Sequence, residues 1–221
     1  MDRWSASAEG LIREIYPPLA GEIRSAVDLA NRHSEGPLTS GIVSGGSSSM
    51  EDCAFLYLLI RHFGRRHAFE VGTYIGTTAV AMNEAARANG GWMTTSDVVD
   101  YGFIPPWSGI RFMHMPASIA LATLSAERHP VDFAFFDWVP DESTIAQIDK
   151  IFTDDAILAV HDCHPSDPKG DAIVRLLQDT YCAKRDGVWL FPAAAPFRMD
   201  DGMTINQCTA AFIPSALVEL H

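Results

Sequence analysis

Basic residues are scarce in this chain. Its 221 residues hold 16 Lys and Arg against 28 Asp and Glu, a formal net charge of −12. No stretch clusters cations as a phosphate backbone would require, which argues against nucleic acid as a partner. The densest cationic group, Arg61, Arg65 and Arg66 with His62 and His67, is accounted for by placement at a helix end beside its dipole. Cysteine is thin as well. Cys53, Cys163, Cys182 and Cys208 form no CxxC pair and precede no paired-histidine signature, so buried free thiols are expected rather than a disulfide framework. Long apolar runs are missing too: the longest, Cys53 to Ile60, is far short of a bilayer span, and the first residues lack the apolar stretch of a secretory signal. A soluble cytoplasmic protein with no membrane partner is the expectation.

Two nucleotide-binding signatures are absent at the one place that invites them. Glu70-Val71-Gly72-Thr73-Tyr74-Ile75-Gly76 lies between a short apolar run and a helical pattern. A GxGxxG dinucleotide fingerprint begun at Gly72 would need glycine at Tyr74 and at Thr77, and no Lys-Ser/Thr pair follows to make a phosphate-binding P-loop. What stands there is an ExGxxxG turn, which offers backbone N–H groups at a helix start and a carboxylate that can only accept hydrogen bonds. Such a turn suits a nucleoside carrying donors and a positive charge.

The rest of the chain alternates strand and helix, the pattern of a parallel sheet covered on both faces. Strands are expected at 67–71, 92–96, 110–115, 131–136 and 156–160, and helices at 77–89, 117–128, 143–152 and 171–180. A final pair, 188–191 and 209–213, is joined without room for a crossover helix and is most simply antiparallel. Ahead of these, apolar spacing over 6–33 predicts two helices broken at Pro17-Pro18, 34–49 reads as a Gly/Ser-rich linker, and Ser48 with Glu51 makes a capping box for a helix ending at Gly64. The expected architecture is one α/β domain over 1–221. It has a Rossmann-like, mainly parallel seven-stranded sheet with helices on both faces, a helical cap and covering loop over 1–49, and the α/β core over 50–221.

Ligands of open parallel sheets bind beyond the carboxyl ends of the strands. Here those ends carry the glycine turn, Asp97, Asp137-Trp138 and His161-Asp162-Cys163-His164. Asp97 stands where an acidic residue takes ribose hydroxyls. Asp137 and Asp162 could share a divalent cation. His161 and His164 could serve as general base or, as nitrogen donors, favour Zn²⁺, Mn²⁺ or Fe²⁺. Trp138, Tyr101, Phe103 and Trp107 are candidates to wall a flat acceptor.

With its segments GIVSGGSSSMEDCAFLYLLIRHFGRRHAFEVGTYIGTTAVAMNEA, SDVVD, VDFAFFDW and AILAVHDCH in that order, the chain resembles the class I S-adenosylmethionine-dependent methyltransferases. It is most similar to the catechol-type O-methyltransferases. The resemblance implies S-adenosyl-L-methionine as cofactor, with Glu70, Gly72 and Gly76 at its methionine end and Asp97 on the ribose. Thr73, Tyr74, Thr77 and Asp137 would complete the cofactor contacts, Ala117 and Ser118 would lie near the adenine, and the small residues from Gly45 to Ser49, Ser47 among them, would close over it. It also implies methyl transfer to a small hydroxylated molecule, a divalent cation (Mg²⁺ or another) on Asp137, Asp162 and His161, and His161, His164 and Asp137 as catalytic residues. A homodimer is the candidate assembly. Two departures stand out: metal-dependent relatives place asparagine after the second aspartate, where this chain has Cys163, and lysine three positions after the first, where it has Pro140. A cofactor-binding protein without turnover, or a metal-dependent hydrolase or hydroxylase-like enzyme using Asp137, His161, Asp162 and His164, are the alternatives.

Overall fold

Strand-forming apolar segments gather at the centre of the computed structural model, which describes residues 2–40, 47–163, 168–192, 196–206 and 208–218. Seven strands form one sheet: β1 (His67–Val71), β2 (Trp92–Asp97), β3 (Arg111–His114), β4 (Val131–Phe136), β5 (Phe152–Val160), β6 (Gly187–Leu190) and β9 (Ala210–Pro214). Their spatial order is β3-β2-β1-β4-β5-β9-β6. The first five are mutually parallel, and β9 runs antiparallel to both its neighbours, as the short connection after β6 anticipates.

Side chains alternate across this sheet and divide the core in two. Phe133 and Phe135 join one cluster with α1 (Asp2–Ile15), α2 (Ala20–Thr39), α3 (Met50–His62) and α4 (Thr77–Ala88). Ala134 and Phe136 join the other with α5 (Ala117–Ala126), α6 (Glu142–Ile151) and α7 (Pro168–Asp179). All six residues of β4 face protein on both sides or nearly so, which is why that strand is an almost unbroken apolar run. Among the described residues no helix is long and apolar enough to cross a membrane.

Five expectations are corrected, the last in part. Residues 34–39 are not linker but the last turns of α2, which tolerates Pro37 because near a helix end only one backbone bond is lost. The helix cap falls one residue later than read: Ser49 Oγ accepts from the Asp52 N–H and donates to the Asp52 carboxylate at 2.6 Å. Strand β5 starts at Phe152, directly after α6, rather than at 156. Between β6 and β9 a small hairpin, β7 (Phe197–Arg198) and β8 (Thr204–Ile205), packs Phe197 and Ile205 into the α1–α4 layer, and α8 (Ser215–Val218) follows β9. The cationic group is split: Arg61 and His62 stand in the last turn of α3, as expected of helix-end cations, with Arg61 also paired to Glu22, whereas His67 is buried in β1 with Nδ1 2.8 Å from Pro130 O and Arg65 pairs with Asp155. The four cysteines are free thiols, Cys53 and Cys163 buried, Cys182 and Cys208 half-buried.

Candidate functional site

Parallel strands bring their carboxyl ends to one edge, and the backbone ladder continues past them. Gly72 N–H donates to Ser96 O at 3.0 Å, Asp137 N–H to Val71 O at 2.9 Å and His161 N–H to Phe136 O at 3.0 Å. The glycine turn, Asp97, Asp137 and His161 are thereby set side by side.

Within the turn, Gly72 has φ +93° and Gly76, the N-cap of α4, φ +81°. Tyr74 adopts φ +47° although it has a side chain, and Asp162 φ +59°. Non-glycine residues in this region cost on the order of 1–3 kcal/mol and gather at functional sites. The turn is held from several sides. Tyr74 N–H donates to Asp97 Oδ2 at 2.9 Å, Val99 N–H to Asp97 Oδ1 at 3.0 Å, and His33 Nε2 of α2 lies 2.7 Å from Ile75 O.

Glu70 sits beneath the turn rather than on the cavity wall. It is fully buried, with Thr78 and Thr95 hydroxyls donating to its two carboxylate oxygens, and Thr73 Oγ1 is 2.5 Å from Thr95 Oγ1. Burial raises its pKa from 4.5 to about 8; the two threonines pull it down and the Asp137 and Asp97 charges push it up. The folded chain thus keeps a proton that the unfolded chain releases near pH 4.5. The stabilisation is complete below that pH and is lost as pH rises through about 8. Glu70→Gln, isosteric with the protonated acid, is expected to leave the melting temperature near pH 5 within ~3 °C and to raise it by ~4 °C or more at pH 9. Parallel pH profiles for the two proteins in thermal denaturation would refute this.

A cluster of charge lies across the edge. His161 Nδ1 is 2.9 Å from Asp137 Oδ1 and 3.0 Å from Asp162 Oδ1, and Nε2 is 3.6 Å from Asp52 Oδ2. Burial alone would lower the His161 pKa; Asp137 and Asp52 outweigh it and raise it to about 10. Asp52 is held down to about 2, its burial outweighed by His161, Ser49 and Thr209. Ser48 Oγ donates to Asp137 Oδ2 at 3.4 Å, and Ser47 Oγ to Thr77 Oγ1 at 2.7 Å, tying the segment before α3 to both halves of the edge.

Between turn and cluster opens a cavity of about 700 Å³, within the range of small-molecule sites. Gly72, Tyr74, Asp97, Ala117, Asp137, His161 and Asp162 line it. Glu70, Thr73, Gly76, Thr77, Ser118 and Ser47 do not line it. His164, Gly45 and Gly46 lie outside the described residues, as does the Trp107 side chain. Phe103 does not line the cavity, whereas Tyr101 and Trp138 do, with Val98, Val99 and Val139; all five are exposed, Trp138 at 66%.

The donor set fits a divalent ion. Nδ1 of His161 is buried and makes no hydrogen bond of acceptable direction, although two carboxylate oxygens are about 3 Å away. Separations of ~3 Å are those of neighbouring ligands at ~2.1 Å from a six-coordinate ion. Among the described residues, Asp137, His161 and Asp162 form the group whose ligand atoms could meet on one ion. A nucleoside cofactor fits equally: Gly72 holds φ +93°, a conformation side-chain-bearing residues rarely adopt, and leaves bare backbone facing Asp137 across the cavity. The Ser49-x-x-Asp52 spacing of the cap is the one local sequence signal of Asp52.

No family model matches the sequence, and no curated protein does. Solved structures do match. The chain aligns over 96% of its length with 99% of an O-methyltransferase from Bacillus cereus in complex with SAH, at 15% identity and TM-score 0.56. It aligns over 90% with 96% of the SAH-bound Podospora anserina methyltransferase PaMTH1, at 15% identity and TM-score 0.55. It aligns over 86% with 89% of TomG from Streptomyces achromogenes, an O-methyltransferase involved in tomaymycin synthesis, in complex with SAM, at 18% identity and TM-score 0.57. At these identities the likeness is one of fold, and it extends over most of the chain.

Proposed function

We propose that the protein is an S-adenosylmethionine-dependent O-methyltransferase acting on a small hydroxylated molecule, with a divalent ion held by Asp137, His161 and Asp162. The observation that carries this is the single cavity joining the glycine turn and Asp97 to that ligand group. Gly72 and Tyr74 would take the methionine end of the cofactor, Asp97 the ribose and Ala117 the adenine end, with Glu70, Thr73, Gly76, Thr77, Ser118 and Ser47 fixing these walls. Residues 1–49 would serve as cap and cover, and 50–221 as the core.

The cofactor supplies an electrophilic methyl group and the ion lowers the cost of removing the acceptor's proton. The chain's own residues do the rest. The turn and the opposite wall hold donor and acceptor in line at near-attack distance, which is where most of an in-line displacement's acceleration arises. Asp137, at the junction of both halves, orients the acceptor end. With His161 assigned to the ion, His164 would move the proton. Exposed Trp138 with Val98, Val99 and Val139 at the mouth suits a flat, partly apolar acceptor. The excess of acidic residues favours a small-molecule over a nucleic-acid partner, and the free thiols favour a cytoplasmic setting.

Calorimetric titration with S-adenosylhomocysteine tests the reading. The wild type should bind, and Asp97→Ala, which loses both its ribose acceptor and its hold on the Tyr74 amide, should bind ~10- to 100-fold more weakly. Absence of binding by the wild type would sink the proposal. Transfer of labelled methyl to a panel of phenols and catechols distinguishes an enzyme from a binding protein.

A further inference from the structure

One buried carboxylate beside the cavity has no part in the activity proposed above. Asp52, in the first turn of α3, has a side chain 1% exposed. Three donors converge on it: Ser49 Oγ at 2.6 Å to Oδ2, Cys208 N–H at 3.0 Å and Thr209 Oγ1 at 2.7 Å to Oδ1. A carboxylate offers about four acceptor positions. The remaining one faces His161 Nε2, 3.6 Å away. Donors from two segments far apart in the chain thus fix Asp52 behind the imidazole, whose opposite nitrogen is the buried, unbonded atom between Asp137 and Asp162.

We propose that Asp52 is the positioning residue of this site: it keeps the ring proton on Nε2, presents Nδ1 of His161 as a bare donor, and so biases the site toward a divalent transition ion over Mg²⁺. The inference rests on the ion-assisted reading given above. An imidazole can ligate through one nitrogen only if its proton sits on the other, and a carboxylate behind that N–H sets tautomer, ring orientation and basicity together. A nitrogen donor beside two carboxylates suits Mn²⁺, Fe²⁺ or Zn²⁺, whereas Mg²⁺ prefers oxygen alone. Cys163, following Asp162, adds no oxygen donor that would restore the balance toward Mg²⁺. Ion binding at Nδ1 would polarise the N–H and draw Nε2 toward Oδ2 from its present separation.

The test uses the full chain and Mn²⁺ alone, followed by electron paramagnetic resonance, with S-adenosylhomocysteine calorimetry as the check of folding. The wild type should bind one Mn²⁺ with nitrogen modulation from an imidazole, and an equal concentration of Mg²⁺ should not displace it. Asp52→Asn should weaken Mn²⁺ binding ~10- to 100-fold, and His161→Gln should remove the nitrogen signal. Thr209→Val, which takes a hydrogen bond from Asp52 without touching the ring, should stay within ~3-fold of wild type. In the wild type with Zn²⁺, imidazole ¹⁵N shifts should report the proton on Nε2, a readout that needs no variant. Equal Mn²⁺ affinity in wild type and Asp52→Asn, an equal loss in Thr209→Val, displacement by Mg²⁺, or a proton on Nδ1 would each overturn the proposal. A wild type that binds S-adenosylhomocysteine but no Mn²⁺ would overturn it together with the ion-assisted reading, leaving His161 as an internal cation between carboxylates and the cofactor assignment intact.

Discussion

Asp137→Ala is expected to lower turnover by ~10³-fold or more while weakening S-adenosylhomocysteine binding by no more than ~10-fold. The asymmetry follows from where the residue stands. Its amide continues the ladder to Val71, so the backbone wall survives substitution, but its carboxylate links His161 to the segment before α3. One oxygen lies 2.9 Å from His161 Nδ1 and the other accepts from Ser48 Oγ. Without it the proposed ion loses a ligand. The proposed cofactor would keep Gly72, Asp97 and Ala117. Single-turnover transfer of labelled methyl measures the effect, and a rate within tenfold of wild type would remove Asp137 from the chemistry.

Gly72→Val should act on the other half, cutting S-adenosylhomocysteine affinity by ~100-fold or more, equivalent to ~2.7 kcal/mol. At φ +93° an L-residue is strained by ~1–2 kcal/mol, and a β-branched one by more. The new Cβ would stand 3.5 Å from the Asp137 carbonyl carbon and Cβ, so its two methyls must enter the cavity or displace Asp137. Either route closes the space where the turn faces its ligand. Calorimetry and thermal denaturation together distinguish lost binding from lost folding: a folded variant with wild-type affinity would mean that the turn does not form the cofactor wall.

The two halves of the site were unequally legible in the sequence. Local signals carried the turn and the strand ends: β4 begins and ends where its apolar run does, and the antiparallel pairing of β9 follows from the absence of a crossover helix. Boundaries failed where a local rule competed with packing. Pro37 and the neighbouring Ser and Gly read as linker, yet α2 continues because Ser34 and Pro37 are buried within its helical layer. The two-residue strands β7 and β8 are too short to show any period. Glu70 was legible as part of the turn but not as its buried support, since that depends on Thr78 and Thr95 arriving from other elements. Asp52 was hidden for the same reason: its partners stand 109, 156 and 157 positions along the chain, at His161, Cys208 and Thr209.

The lead-in to β9 also sets when this site can exist. Cys208 and Thr209 latch Asp52, and the Cys208 carbonyl takes the Cys163 amide at 2.7 Å, so these late residues hydrogen-bond both the first turn of α3 and the segment after β5. A polypeptide still emerging from the ribosome would have made its five parallel strands before this clasp was synthesised. This corner of the cavity is therefore among the last parts to be finished, and termination before Cys208 would leave Asp52 without two of its three hydrogen-bond donors.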